Sequence, residues 1–279
     1  MGRLGLQLYT IPKEVTKALI APTASLSILC AFMDSERKAV VLGISGVSSS
    51  GKTTLARLLR DIFPKAFILH EDDFYMTDVD IPIKDGIADW DCIEAINLPA
   101  FKDALSYIKS HGKSPPDFIS QEDQNSVGES GVDPGVVEKL HQEAHSKLKD
   151  QPALPLVIID GFLLYSEDMK DIRELFDIKL FLRTEYKTAK ARREARSGYV
   201  TLEGFWEDPP GYVDKVVWPN YVKDHAFLFK DGDVEGDLDE DVVERLAIDT
   251  MPIDAQGNMT ACLRWAYKIV MEVMERYHD

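Results

Sequence analysis

The chain has 279 residues, of which 45% are hydrophobic, and a net charge of −16. That length suits one α/β domain with embellishments, or two small domains, built around a real core. So acidic a surface excludes polymeric nucleic acid as a partner, and the lack of an apolar run of about eighteen residues excludes a membrane-spanning helix.

Residues 1–32 hold Arg3, Lys13 and Lys17 against the single acid Glu14, with scattered Ser and Thr. They resemble a weak transit peptide but lack its arginine richness, so a disordered extension is expected, with Met33 opening the compact domain. Leu6 stands where a myristoylation signal needs Ser or Thr. Cys30, Cys92 and Cys262 lie far apart without a CxxC pair, which fits free thiols in a reducing compartment. The cytoplasm is the expected location, with the nucleus as a second.

Ala39–Ser45 is a short apolar, β-branched run and predicts a buried strand. Leu55, Leu58, Leu59, Ile62 and Phe63 then repeat at helical spacing, predicting a helix over Thr53–Phe63 that Pro64 ends. Phe67–Leu69 predicts a second strand, and residues 92–111 a helix. Residues 121–152 are polar, with Pro and Gly, and predict a surface insertion with a helical patch at 136–148. Leu154–Ile159 and Ile178–Leu182 predict further strands, Glu185–Arg196 a basic helix, and Phe227–Phe229 a fifth strand. In the last predicted helix, Ala261–Tyr277, Leu263, Ala266, Tyr267, Val270 and Met274 share one face. Strands alternating with helices imply a parallel sheet flanked by helices, whose ligands sit at the carboxyl ends of the strands. Residues 33–279 therefore read as a single domain.

The segment Gly46-Val47-Ser48-Ser49-Ser50-Gly51-Lys52-Thr53, continued by Thr54, fits G-x-x-x-x-G-K-[ST] between a predicted strand and a predicted helix. Glycines let backbone N–H groups turn inward onto phosphate oxygens, and the helix N-terminus adds partial positive charge. Lys52 reaches the β- and γ-phosphates, and the Thr53 hydroxyl coordinates Mg²⁺. The expected co-substrate is ATP, with GTP as an alternative. Asp160, ending a buried strand, is a Walker-B-like carboxylate for the same Mg²⁺; as a bare residue it also reads as a helix cap. The doublet Asp72-Asp73 in Glu71–Tyr75 reads by spacing alone as either a catalytic carboxylate or a cap.

In order, GISGVSSSGKTT, HEDDFY, DWDCIEAINLP, a strand into DGFLLY, and RREARSGYVTLEGFW…DPPGY…DHAFLF resemble the nicotinamide riboside kinases, a uridine-kinase-like branch of the P-loop kinases. The last stretch is especially like fungal members. The resemblance spans about residues 39–235 and implies a P-loop NTPase-type fold with an arginine-bearing lid near 190–215. It implies phosphorylation of nicotinamide riboside, and of nicotinic acid riboside, at the ribose 5′-hydroxyl for NAD synthesis. It makes Asp72 the catalytic base and a metal ligand, with Asp73, Phe74 and Tyr75 around the sugar. It places Trp90 on the pyridinium, where the family often has Tyr, and Asp91 on the ribose hydroxyls. Arg192, Arg193 and Arg196 are assigned to the lid, neutralising phosphate charge, with Arg193 also at the acceptor and Tyr199 closing on the nicotinamide. Adenine is implied to rest on backbone near 231–236. A monomer or weak oligomer is expected.

Two other signals fail on chemistry. His141-x-x-x-His145 has metal spacing but lies in the polar insertion, and Asp231-x-Asp233-x-Glu235-Gly236 has Val242 where a calcium loop needs a bidentate Glu. The alternatives to a riboside kinase are a uridine/cytidine-type or pantothenate-type kinase, and a P-loop switch protein. A switch needs no hydroxyl acceptor such as the DDFY and WD carboxylates provide.

Overall fold

A computed structural model describes residues 38–120, 128–149, 154–196, 198–201 and 204–277. The extension expected at 1–32 lies outside the described residues. Five parallel strands, β1 (Val40–Gly46), β2 (Phe67–His70), β3 (Leu156–Asp160), β4 (Ile178–Leu182) and β5 (Asp249–Thr250), form a sheet in the order β2-β3-β1-β4-β5.

Every residue of β1 is buried because both sheet faces are covered. Its side chains alternate. Val40, Leu42 and Ile44 enter a core shared with helices α1 (Lys52–Ile62), α3 (Pro134–Leu148) and α6 (Met259–Arg276). Ala39 and Val41 enter the opposite core with α2 (Leu98–His111) and the 163–176 segment. Two further helices, α4 (Tyr186–Glu194) and α5 (Trp218–His225), stand above the carboxyl edge of the sheet, with a hairpin between them that pairs Tyr199–Val200 with Phe205–Trp206. Asparagines cap two of the helices: Asn97 accepts from the Ala100 N–H and Asn258 from the Ala261 N–H, each at 3.1 Å.

Three local expectations differ from the structure. The fifth strand lies at Asp249–Thr250, paired with Leu180–Phe181, while 226–228 makes a 3₁₀ turn. A two-residue strand is selected by its parallel partner, so its own sequence carries no periodic signal. The helix expected from 92 begins at Leu98, because Cys92–Asn97 is held in its own turn by Ala95 and Ile96 N–H groups. The helix of the 121–152 insertion buries Leu140, Ala144 and Leu148 against α1 and α6, and so covers the sheet as well as the surface.

Candidate active site

The register brings functional residues to one edge. Ile44 pairs with Asp160, His70 with Asp160, and Gly46 with Leu182, so β1, β2, β3 and β4 end side by side. Gly46 has φ 142° and Gly51 φ 102°, and a Cβ on Gly46 would run into the Leu182 carbonyl. Their loop delivers Lys52 to the first turn of α1, where its Nζ donates to the Val47 carbonyl at 3.0 Å. Burial lowers the Lys52 pKa, and the charges of Asp160 and Asp72 oppose that effect.

A cleft of about 930 Å³, its open mouth included, lies above this edge. Of the expected residues it brings together Ser48, Ser49, Gly51, Lys52, Thr53, Thr54, Asp72, Tyr75, Trp90, Asp91, Asp160, Arg193, Arg196 and Tyr199. A second cleft on the far side of the same loop is lined by Ser49, Ser50, Gly51, Thr54, Arg192 and Arg196, with Arg183 and the 251–259 segment opposite. Arg192 donates to the Ser49 carbonyl at 3.3 Å. The loop and Arg196 thus border both spaces, while Gly46 and Val47 lie beneath it, Val47 in the core.

Asp73 and Phe74 do not line the cleft. The 3₁₀ turn Glu71–Phe74 splays its side chains, so Asp73 accepts from the Ser120 hydroxyl at 3.1 Å and Phe74 packs on Phe101 and Phe118. Asp72 and Tyr75 face inward. Nor does the segment implied to hold adenine follow the last strand; after β5 comes Met251–Met259, and part of that stretch forms the wall of the second cleft.

Glu71 went unnoticed because an acid beside the Asp doublet looks like surface. It is wholly buried beneath the loop after β3, where it accepts from the Phe162 and Leu163 N–H groups. Burial, then the neighbouring Asp72 charge, pushes its pKa up to about 8. Asp160 is the opposite case. Burial opposes its ionisation, yet His70 at 3.2 Å, Lys52 and the Thr53 hydroxyl hold its pKa below the usual carboxylate value. Among the described residues no three His, Cys, Asp or Glu side chains cluster as a metal cage. The Thr53 hydroxyl beside an ionised Asp160 instead suits Mg²⁺, which takes one or two protein oxygens and fills the rest of its shell from phosphates and water.

At the other end of the cleft Arg193, 8% exposed, donates to both Asp91 oxygens, to both Asp208 oxygens and to the Ser48 hydroxyl. Burial holds the Asp91 pKa above the usual carboxylate value, and the Arg193 charge opposes that rise only in part. Trp90 stands edge-on to Tyr75, with ring centres 5.2 Å apart. Tyr199 lies beneath two guanidinium groups, 4.7 Å from Arg193 and 5.2 Å from Arg196. Asp208 and Trp206 were missed because nothing in their spacing ties them to residues 48 or 91.

No protein-family model matches the chain. It is 46% identical over 203 residues to the nicotinamide riboside kinase of Schizosaccharomyces pombe, covering 72% of this chain and 86% of the relative. The enzyme of the same name from Saccharomyces cerevisiae is 39% identical, covering 73% and 84%, and that from Eremothecium gossypii 37%, covering 72% and 82%.

Proposed function

The chain belongs to the nicotinamide riboside kinase family, and from that premise we propose that it transfers the γ-phosphoryl group of ATP to the ribose 5′-hydroxyl of nicotinamide riboside. The product is the mononucleotide that feeds NAD synthesis. Nicotinic acid riboside is a second acceptor, since acid and amide differ far from the reacting oxygen. The observation that carries this reading is the shared cleft: Asp72 and Lys52 line one space, and Asp72 acts on the Lys52 charge.

The acceptor ribose lies between Asp72 and Asp91. The Asp91 carboxylate takes the vicinal 2′- and 3′-hydroxyls, with Arg193 holding the carboxylate in place. Trp90 backs the pyridinium ring. Asp72 accepts the 5′-hydroxyl proton as the oxygen bonds to the γ-phosphorus and the bond to the ADP oxygen breaks. Because the transition state is loose, Asp72 acts chiefly by aiming that oxygen in line.

Lys52, Arg192 and Arg196 balance the charge on the phosphate oxygens, and inward-turned amides from Gly46 to Thr54 cradle the chain of phosphates. The donor's ribose and base occupy the second cleft, against Met251–Met259. Thr53 and Asp160, with Asp72, would hold Mg²⁺, which would supply positive charge against that of the phosphate oxygens. Glu71 is buried beneath the loop after β3 and Asp73 is turned to Ser120, so Asp72 is the acid of the HEDDF turn that faces the acceptor.

A coupled assay run side by side with nicotinamide riboside, uridine and pantothenate tests the reading, using ATP and GTP in parallel. Turnover highest with nicotinamide riboside is expected. Turnover confined to uridine or pantothenate overturns it.

A further inference from the structure

Five aromatic side chains line the acceptor cleft: Tyr75, Trp90, Phe162, Tyr199 and Trp206. Trp206 comes from the hairpin, directly opposite Tyr199, so both side chains leave the same face of that ribbon. Their surroundings differ. The Tyr199 ring is already engaged by the guanidinium groups of Arg193 and Arg196. The Trp206 ring lies 5.7 Å from Trp90, inclined at 47°, and its indole N–H donates to Asp208 at 2.9 Å. That hydrogen bond fixes the rotation of the indole. Asp208 is held in turn by Arg193 at 2.7 Å.

Charge adds a second, independent observation. Around the guanidinium of Arg193 stand two carboxylates, Asp91 and Asp208, and Asp208 also holds the Trp206 indole, while the further cation Arg196 lies over the Tyr199 ring. A cationic base resting on the indoles has these carboxylates beside it, from which a neutral base gains nothing. The two indoles are too close for a ring to slide between them, so a planar base lies against both from the cleft side.

We propose that Trp206 is a specificity-determining residue for the acceptor: with Trp90 it forms two adjoining aromatic walls that select a planar, positively charged base on the ribose, and Asp208 positions its indole. This rests on the reading that the acceptor is nicotinamide riboside. A cation on an aromatic face in a desolvated site is worth roughly 0.5–2 kcal/mol, a preference of about 2- to 30-fold.

The test compares nicotinamide riboside with benzamide riboside, an isostere whose ring carries no charge, by kcat/KM for the wild-type protein and for Trp206→Leu, Trp206→Phe and Trp206→Tyr. The wild type is expected to favour the charged acceptor. Trp206→Leu is expected to shrink that preference about 2- to 30-fold through a raised KM for nicotinamide riboside, with the KM for ATP unchanged. Tyr and Phe variants fall between, in that order, and they carry the test should the Leu variant fail to fold. The same charged-to-neutral ratio in every variant overturns the proposal, as does an equal loss with both acceptors. If the wild-type protein phosphorylates neither nucleoside, the functional reading fails instead, and this inference with it.

Discussion

Arg193 meets Asp91 as a two-pronged pair, each terminal nitrogen 3.2 Å from a different carboxylate oxygen, with both residues more than nine-tenths buried. A pair so placed resists the loss of one member, because the survivor keeps its charge out of water. Arg193→Met leaves Asp91 and Asp208 facing each other without a counter-charge. A stability loss of about 3–5 kcal/mol is expected in urea unfolding. Adding Asp208→Asn to that variant restores part of it. If the single variant unfolds at the wild-type midpoint, the pair is not structural.

Asp72→Asn keeps the shape of the side chain and removes its capacity to accept the 5′-hydroxyl proton. The expected result is a fall in turnover of about 10²- to 10⁴-fold, while nucleotide binding followed by titration calorimetry stays within a few-fold of wild type. Retained turnover removes Asp72 from the role of base.

Trp90 packs on Tyr75 and lies at the acceptor end of the cleft, away from the second cleft. Trp90→Ala is expected to raise the KM for nicotinamide riboside about 10-fold and to leave the KM for ATP in place. Equal changes in both constants would point to collapse of the cleft rather than loss of a stacking surface.

Gly46→Ala tests the strand-to-loop junction. Alanine there must adopt φ 142° and push against the Leu182 carbonyl of the neighbouring strand, so β1 and β4 separate or the loop moves. A stability loss of about 2 kcal/mol or more and loss of nucleotide binding are expected together. A variant that binds ATP normally would show that the loop tolerates another path.

His225 and Asp224 predict how stability responds to acid. Burial pushes the His225 pKa down to about 4, so its contribution to stability is lost as pH falls from the unfolded value near 6.5 towards 4. Burial pushes the Asp224 pKa up to about 6, which works the other way: protonation favours the folded state as pH falls through 6. Lys223, Asp168, Glu94 and Asp89 act on Asp224, and Lys52 on His225. Melting temperatures between pH 4 and 7 separate the two. Asp224→Asn should steepen the acid decline, and His225→Asn should flatten or reverse it. Parallel profiles for all three proteins would refute the assignment.

The first four strands, most of the helices, the phosphate loop and Asp160 at its strand end were legible along the chain. Each is written within a few consecutive residues: an apolar run, a helical repeat, a glycine spacing. Such patterns act through local backbone geometry and survive without knowledge of the rest of the molecule. The resemblance to riboside kinases added the role of Asp72, together with Trp90, Asp91, Tyr199 and the arginines, because it carries order along the chain.

Tertiary structure alone decided which side chains of Glu71–Tyr75 enter the cleft, since a 3₁₀ turn points successive residues in different directions. It also decided that Trp206 and Asp208 join Arg193 and Asp91, that Met251–Met259 replaces 231–236 beside the loop, and that Asp249–Thr250 closes the sheet. These relationships link residues far apart in sequence. Their energies come from burial and charge pairing that exist only after the chain has closed on itself.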